Sequence, residues 1–206
     1  MPASRKSPPR PYHHGDLRPA LVEEGLALLA EKGGDGFSLR ELARRVGVTA
    51  NASYRHFANK EALMLALAAE GFRRLRATQE AAEAAADSPG RKLVAGGLGY
   101  LRFAHANPAL FRLMFGAQAA ARRGGDNDDP ELADASFAAF ETLRQAVARV
   151  VDADQATVSR TALRAWAMVH GFSQLLLDGQ LDHLGADPLA EAEVALTDAI
   201  RAAGPV

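Results

Sequence analysis

The segment 37–63, FSLRELARRVGVTANASYRHFANKEAL, constrains the fold more than any other part of the chain. Ser38 and Glu41 are spaced as a capping box, in which Ser38 bonds forward to the amide of Glu41 and Glu41 reaches back. Gly47 provides the positive-φ residue that ends this helix, and Thr49 is a preferred N-cap for the next one. The pattern therefore predicts two short helices joined by one tight turn.

The remainder of the chain also has helical patterning. Ala, Leu, Arg and Glu dominate, and no segment alternates with period two for long enough to form a strand. We therefore predict an all-α protein. The other predicted elements are a helix from Asp16 to Gly33, helices over 60–85 (capped by Asn59) and 91–106, one from Asn107 to near Phe115, a polar loop over 122–130, and helices over 131–151, 155–180 and 188–203.

Charge is distributed unevenly along the chain. Residues 1–60 contain ten Lys or Arg and six Asp or Glu, whereas residues 61–206 contain fourteen and nineteen. The opposite signs suggest a polyanionic partner for the N-terminal part, although so small an excess also arises by chance. We expect 1–16, which is basic and Pro-rich, to be a flexible arm. It precedes a small domain over 17–62 and a larger one over 63–206.

Composition excludes several classes of protein. The chain has no cysteine, so disulfides, thiolate zinc sites and a cysteine nucleophile are excluded. No apolar run approaches the roughly 20 residues of a membrane span, and the N-terminus lacks the apolar core of a secretory signal. His13 and His14 lie on the arm, and no compact carboxylate–histidine set appears elsewhere. We expect a cytoplasmic protein without membrane, metal or cofactor.

Two helices joined by one glycine turn match the helix-turn-helix layout, in which the second helix enters the major groove of DNA. Ala50, Ala52 and Ser53 are small, so the backbone can approach base edges. Asn51 can pair with adenine through two hydrogen bonds. Thr49 and Ala50 can contact a thymine methyl group or a phosphate. These residue types suit the reading of a DNA sequence.

Neighbouring residues suit the phosphate backbone, which positions a protein without reading sequence. Tyr54 offers a hydroxyl on a rigid ring, and Lys60 offers a charge at the start of the next helix. Arg40 on the preceding helix could reach a guanine or the backbone. A small apolar core would fix the two helices: Leu39, Leu42, Val46, Val48 and Phe57.

The spacing alone leaves other functions open, because short helix–glycine–helix turns occur in many helical proteins. An enzyme or ligand-binding module could use His56, His105 or His170, although no Ser or Asp constellation accompanies His56. A structural adaptor could instead dock partners on the acidic larger half. Catalytic turnover that depends on one of these histidines would indicate the enzyme. Binding to a protein partner, without affinity for DNA, would indicate the adaptor.

Residues 17–63 resemble the DNA-binding domain of the TetR family of transcriptional regulators. The resemblance covers the capped second helix, the Gly-Val turn, the Tyr-Arg-His-Phe tetrad and the Lys-Glu-Ala-Leu start of the fourth helix. YHHGDL (12–17) is similar to the lead-in of one branch. The resemblance implies a homodimer that binds a partly palindromic operator in double-stranded DNA, and releases it when a small molecule enters the C-terminal domain.

Position by position, the resemblance implies a set of DNA-facing residues: Arg40, Thr49, Ala50, Asn51, Tyr54, His56 and Lys60. Ser53 departs from the family, in which this position is often apolar or proline. Its hydroxyl therefore either bonds to DNA or makes a weaker packing contact.

Residues 98–116 and 165–177 resemble the C-terminal domain of the branch named for Trp-His-Gly, matched here by Trp166, His170 and Gly171. His170 is either a sensor of ligand or pH, or a satisfied core residue. Gly171 costs a helix about 1 kcal/mol, and close approach of another helix would explain it. A ligand pocket needs apolar walls. Residues of suitable chemistry occur in both segments, although aromatic residues at helical spacing are also typical of ordinary core. The candidate lining residues are Tyr100, Phe103, His105, Phe111, Met114, Phe115, Trp166, Met168 and His170.

Apolar stripes on the last two predicted helices support dimerisation, which the family implies through a four-helix bundle. Two tethered DNA-binding units gain from their effective concentration. The helix that starts at Lys60 joins both domains and is expected to transmit ligand binding to the DNA-binding part. The stripes are Leu163, Ala167 and Leu175 on one helix and Val194, Ala195 and Ile200 on the other.

Overall fold

A computed structural model describes residues 17–34, 36, 38–123 and 129–202. All regular elements within these ranges are helices, which confirms the predicted all-α fold. They are α1 (Leu17–Lys32), α2 (Leu39–Val46), α3 (Ala50–Tyr54), α4 (Lys60–Ala84), α5 (Pro89–Ala106), α6 (Pro108–Arg123), α7 (Pro130–Ala148), α8 (Gln155–Leu177) and α9 (Pro188–Ala202). The chain divides into two compact units, Met1–Leu63 and Met64–Val206, and the division falls inside α4.

Local hydrogen bonds set the ends of the short helices in the first unit. Ser38 Oγ accepts from the amide of Glu41 at 3.3 Å, Gly47 has φ of 80°, and Thr49 Oγ1 accepts from the amide of Ala52 at 3.3 Å. The second predicted bond of the capping box, from the Glu41 side chain back to the start of α2, is replaced by another. The Glu41 carboxylate accepts a hydrogen bond from Lys32 Nζ at 2.6 Å instead. A cation on α1 therefore engages the side chain that was expected to cap α2.

The first unit packs α2 against both α1 and α3. Leu39, Leu42 and Phe57 are buried as predicted. Val46 and Val48 flank the Gly47 turn and are only partly buried. They are wrong as core residues, because the turn places them at the edge of the packed helices.

The second unit is organised around α5, which contacts α6, α7, α8 and α9. Its approach to α4 is close at Gly99, where an added Cβ would lie 3.3 Å from the Gln79 Cα and the Thr78 carbonyl oxygen. Hydrogen bonds from capping side chains start several helices of this unit, including Ser88 at α5, Asp129 at α7 and Asp154 at α8.

Two predicted boundaries in this region are wrong. The sixth helix continues to Arg123 instead of ending near Phe115, and it takes up the first residues of the predicted 122–130 loop. Alanine has the highest helix propensity, so the alanine-rich stretch after Gly116 extends the helix. Asp16 and the arm 1–16 lie outside the described residues. No described helix is both long and apolar enough to cross a membrane.

Candidate functional site

The short helix α3 presents polar side chains to solvent on one face and packs the other. Thr49 and Asn51 are exposed, Ala50 is partly buried, and Tyr54 is 44% exposed. Thr49 stands at the N-cap, where Oγ1 already accepts the Ala52 amide. The amide of Asn51 and the hydroxyl of Tyr54 are therefore available to a partner outside the chain.

Ser53 lies on the inner face of the same helix. Its exposed fraction is 0%, and its Oγ is fully buried without a hydrogen-bond partner in the described part of the chain. A hydroxyl in this position cannot reach DNA. Of the two alternatives for Ser53, the structure therefore supports the weaker packing contact.

Ser53→Ala is expected to raise the free energy of unfolding by about 1 kcal/mol, because a buried hydroxyl without a partner carries an uncompensated desolvation cost. Ser173→Ala is the matched control. Ser173 is equally buried, but its Oγ donates to the Val169 carbonyl at 2.8 Å, so this substitution should destabilise. Thermal unfolding followed by circular dichroism compares the two, and a destabilising Ser53→Ala would contradict the assignment.

Basic side chains surround α3. Arg40 and His56 are exposed, and Lys60 is partly buried as the first residue of α4. Arg44 and Arg55, which were not predicted from the sequence, are exposed as well. Arg44 lies four residues after Arg40 and hence on the same face of α2, a signal that was present in the sequence.

Other basic residues of this unit are held in ion pairs. Arg45 lies 2.7 Å from Glu31 and 3.4 Å from Glu24, and Lys32 pairs with Glu41. By contrast, the side chains of Arg40, Arg44 and Arg55 make no hydrogen bond or ion pair to any residue that the structure describes. The acidic residues of α1 and α2 thus neutralise Arg45 and Lys32, and leave these three arginines in solvent.

A cavity of about 470 Å³ lies within the second unit. Its walls come from α4, α5, α7 and α8, with Phe115 from α6 and Ile200 from α9, and they are mostly apolar. Mostly apolar walls with a few polar groups, in a volume between about 300 and 1,000 Å³, are typical of small-molecule sites. Within the described ranges, no three His, Cys, Asp or Glu side chains are grouped so that they could hold a metal ion.

The structure confirms only some of the predicted pocket residues as part of the cavity wall. Tyr100, Phe115 and Trp166 line the cavity. His105 is exposed on the surface. The others are not among the described lining residues, and three of them, Phe103, Phe111 and Met114, are buried. With His105, the predicted residues outside the lining are therefore Phe103, Phe111, Met114, Met168 and His170.

His170 lies in an aromatic cluster beside the cavity. Its Nδ1 is 2.9 Å from the Tyr100 hydroxyl oxygen, and its ring stacks on Phe111 with centroids 5.4 Å apart. Phe115 meets it edge-on at 4.4 Å. Burial lowers the pKa of the His170 imidazole, and burial raises the pKa of the Tyr100 hydroxyl. Both shifts favour the neutral forms, and the partly buried His170 and the buried Tyr100 share one hydrogen bond.

Most of the cavity wall was not predicted from the sequence, including one complete face of α4. Phe72, Leu75, Gln79 and Glu83 all line the cavity. Their spacing of three or four residues is the signal of a helix face. The two polar members at the end of an otherwise apolar face would have indicated a binding surface rather than ordinary core.

The predicted dimer stripes are largely exposed. Leu163 is 53% exposed, Leu175 is 46% exposed and Val194 is 60% exposed, and Ala167 and Ala195 are exposed too. Ile200 is buried within this chain, so its place in the stripe was wrong. The expected helix contact at Gly171 is also not made here, since an added Cβ would meet no described atom within 4 Å.

The fold and these two sites together define an all-α helix-turn-helix protein with a cavity-containing C-terminal domain. Residues 21–67 match the family model of bacterial regulatory proteins of the tetR family. Residues 93–199, more than half of the chain, match the tetracyclin repressor-like C-terminal domain. The chain therefore belongs to the TetR family of DNA-binding transcriptional regulators, which is not a family of enzymes.

Individual relatives agree with this family. The HTH-type transcriptional regulator Rv1816 of Mycobacterium tuberculosis is 30% identical over 99 residues, which is 47% of this chain and 42% of that protein. The match thus spans less than half the length of that curated relative. A solved protein of unknown function from Rhodococcus sp. RHA1 is 32% identical over 96% of this chain and 100% of its own, with a TM-score of 0.78.

A solved TetR-family regulator, PfmR from Thermus thermophilus, shares the fold. Its TM-score is 0.60 at 24% identity, and the match covers 87% of this chain and 96% of PfmR. At this identity, the similarity concerns the fold alone.

Proposed function

We propose that this regulator is a homodimeric repressor whose α2–α3 surface binds a partly palindromic operator, and which leaves the operator when a small molecule occupies the C-terminal cavity. The observation that carries the DNA-binding part is the two-sided character of α3. Asn51 and Tyr54 face solvent, whereas Ser53 of the same helix is buried, as is Phe57 three residues after its end. On this proposal, Asn51 reads a base and Tyr54 contacts phosphate.

The remaining proposed DNA contacts follow from position and charge. Arg40 and Lys60 contact the backbone on either side of α3, and Thr49, Ala50 and His56 lie against the duplex. Arg44 and Arg55 join them, because both are exposed cations without an ion pair among the described residues. Such contacts supply affinity through the release of counterions from the phosphates.

Ligand control requires that the effector distinguish two states of the dimer. A molecule that binds both states equally shifts nothing, however tightly it binds. We propose that an occupied cavity favours a dimer in which the two α3 helices are wrongly spaced for successive major-groove turns. The cavity reaches α4 at Phe72 and Leu75, and α4 includes residues of both units, so α4 is the proposed link.

The proposed dimer interface is the exposed apolar stripe of α8 with its neighbours on α9. Leu163, Ala167, Gly171 and Leu175 recur every four residues, which places them on one side of α8. The open space at Gly171 would admit a helix of a second copy.

We also propose that the C-terminal domain is of the Trp-His-Gly branch. Trp166 and His170, which adjoin Gly171, lie in one aromatic cluster with ring centroids 6.0 Å apart. A repressor of this kind acts on the chromosome, and hence in the bacterial cytoplasm.

The test is selection of genomic fragments by the purified full-length protein. We expect enrichment of one partly palindromic sequence whose half-sites are centred about one helical turn, or a multiple of it, apart. Fragments with no shared sequence would contradict the proposal. Release of the selected duplex by compounds that enter the cavity then tests the ligand-responsive part.

Lys60→Ala is expected to weaken binding to all duplexes alike and to reduce the slope of log affinity against log salt by about 1 per protomer. The reason is the loss of one phosphate contact at the start of α4. Lys92→Ala is the matched control, because Lys92 is also a partly buried lysine in the first turn of a helix. An unchanged slope for Lys60→Ala would place Lys60 away from phosphate.

A further inference from the structure

The cavity of the second unit carries acidic groups in an apolar wall and, among its described lining residues, no basic ones. The carboxylates belong to Glu83 on α4 and Asp129 at the start of α7. Asp129 has a structural role, because its Oδ1 accepts the amide of Leu132 at 2.9 Å and so caps α7. An anionic ligand would meet no cation in this wall, whereas a cationic one would meet Glu83.

Glu83 has unused bonding capacity. Its carboxylate makes no hydrogen bond or ion pair within the described part of the chain. Arg149, Glu80 and Lys92 influence it through space, but burial is the largest effect and raises the pKa of the Glu83 carboxyl. A partly buried carboxylate without a partner is unfavourable, and a cation placed beside it would remove that cost.

The neighbouring helix leaves room for this carboxylate at the cavity wall. An added Cβ at Gly96 of α5 would lie 2.7 Å from Glu83 Oε1, so the absence of a side chain at Gly96 lets the carboxylate lie against α5. Another part of the lining is aromatic, with Phe115, Phe140 and Trp166 among its residues. The Trp166 ring lies 6.0 Å from Phe140 and 6.3 Å from Phe115 between centroids.

From this arrangement we infer that the cavity binds a small organic cation: a molecule with one protonated amine and an apolar body. The amine donates hydrogen bonds to Glu83, and the body packs against Phe115, Phe140 and Trp166. The inference rests on the proposed function, in which this cavity is the effector site, and it adds the chemical class of the effector.

Three probes with one phenylalkyl body test the charge preference: phenylbutylamine, phenylbutanol and phenylbutanoate, all at neutral pH. Trp166 is the single tryptophan of the chain and lines the cavity, so its fluorescence reports binding. We expect the amine to bind about tenfold more tightly than the alcohol, as a hydrogen bond to a charged group allows. The carboxylate probe should bind most weakly.

Glu83→Gln should remove the advantage of the amine over the alcohol. The matched control is Glu80→Gln, which removes the same charge from the preceding turn of α4, where Glu80 is exposed and pairs with Arg76. The control should keep the advantage. Three outcomes would overturn the inference. The three probes could bind with equal affinity, the advantage of the amine could survive Glu83→Gln, or the amine could fail to bind at millimolar concentration.

Release of operator DNA, measured with the same probes, separates this inference from the proposed function. An amine that binds through Glu83 without releasing DNA would support the cation site and contradict the effector role of the cavity. In the opposite case, the alcohol and the carboxylate release operator DNA as effectively as the amine does, and Glu83→Gln has no effect. That result would support ligand control and overturn the cation site.

Discussion

Phe111→Ala is expected to lower the free energy of unfolding of the C-terminal unit by about 3–5 kcal/mol, because it removes a large side chain that its neighbours cannot replace. Phe111 is fully buried. Its ring centroid lies 4.9 Å from that of Phe115 and 5.6 Å from that of Tyr100, and the ring stacks on His170. The substitution would open a void in the aromatic cluster beside the cavity.

Urea unfolding followed by Trp166 fluorescence measures this loss, with all variants at one protein concentration because a dimer is stabilised by mass action. Phe137→Ala is the control of the same chemistry, since Phe137 is 68% exposed and its truncation should change stability by no more than about 0.5 kcal/mol. A loss for Phe111→Ala as small as that of the control would mean that the cluster does not support this unit.

Asn51→Ala is expected to change which base is preferred at one position of each operator half-site. A bidentate side chain contributes about 1–3 kcal/mol of discrimination against the wrong base, which corresponds to roughly 5–150-fold in relative affinity. Competition between the selected operator and variants substituted at each base pair measures this preference.

Tyr54→Phe is the comparison for Asn51→Ala on the same exposed face of α3. Loss of its hydroxyl should weaken binding to all sequences alike, since the phosphate contact that we propose for Tyr54 carries no sequence information. If Asn51→Ala weakened all sequences equally too, the assignment of Asn51 to a base edge would be wrong.

The first unit could be predicted in detail because its signals are local in sequence. The Thr49 cap, the Gly47 turn and the forward half of the Ser38 cap depend on residues within one helical turn of each other. The Lys32–Glu41 bond joins residues from two helices, so no spacing rule within α2 could reveal it. The burial of Ser53 likewise depends on how α3 packs against α2.

The cavity was predicted only in part, because it forms where the faces of several helices meet. The aromatic residues of α5, α6 and α8 predicted part of the wall, and three of the predicted residues on those helices line it: Tyr100, Phe115 and Trp166. The wall also includes Leu132, Phe140 and Leu143 of α7, which have no distinguishing motif in sequence. Core and wall residues share the same apolar chemistry, so sequence alone could not separate Phe111 from Phe115.

The salt dependence of operator binding tests most directly whether the α2–α3 surface is the DNA-binding surface. If Arg40, Arg44, Arg55 and Lys60 of both protomers each neutralise one phosphate, a dimer makes about eight such contacts, and log affinity should fall against log salt with a slope of roughly −7. A slope close to zero for the unaltered protein on its selected operator would contradict the account.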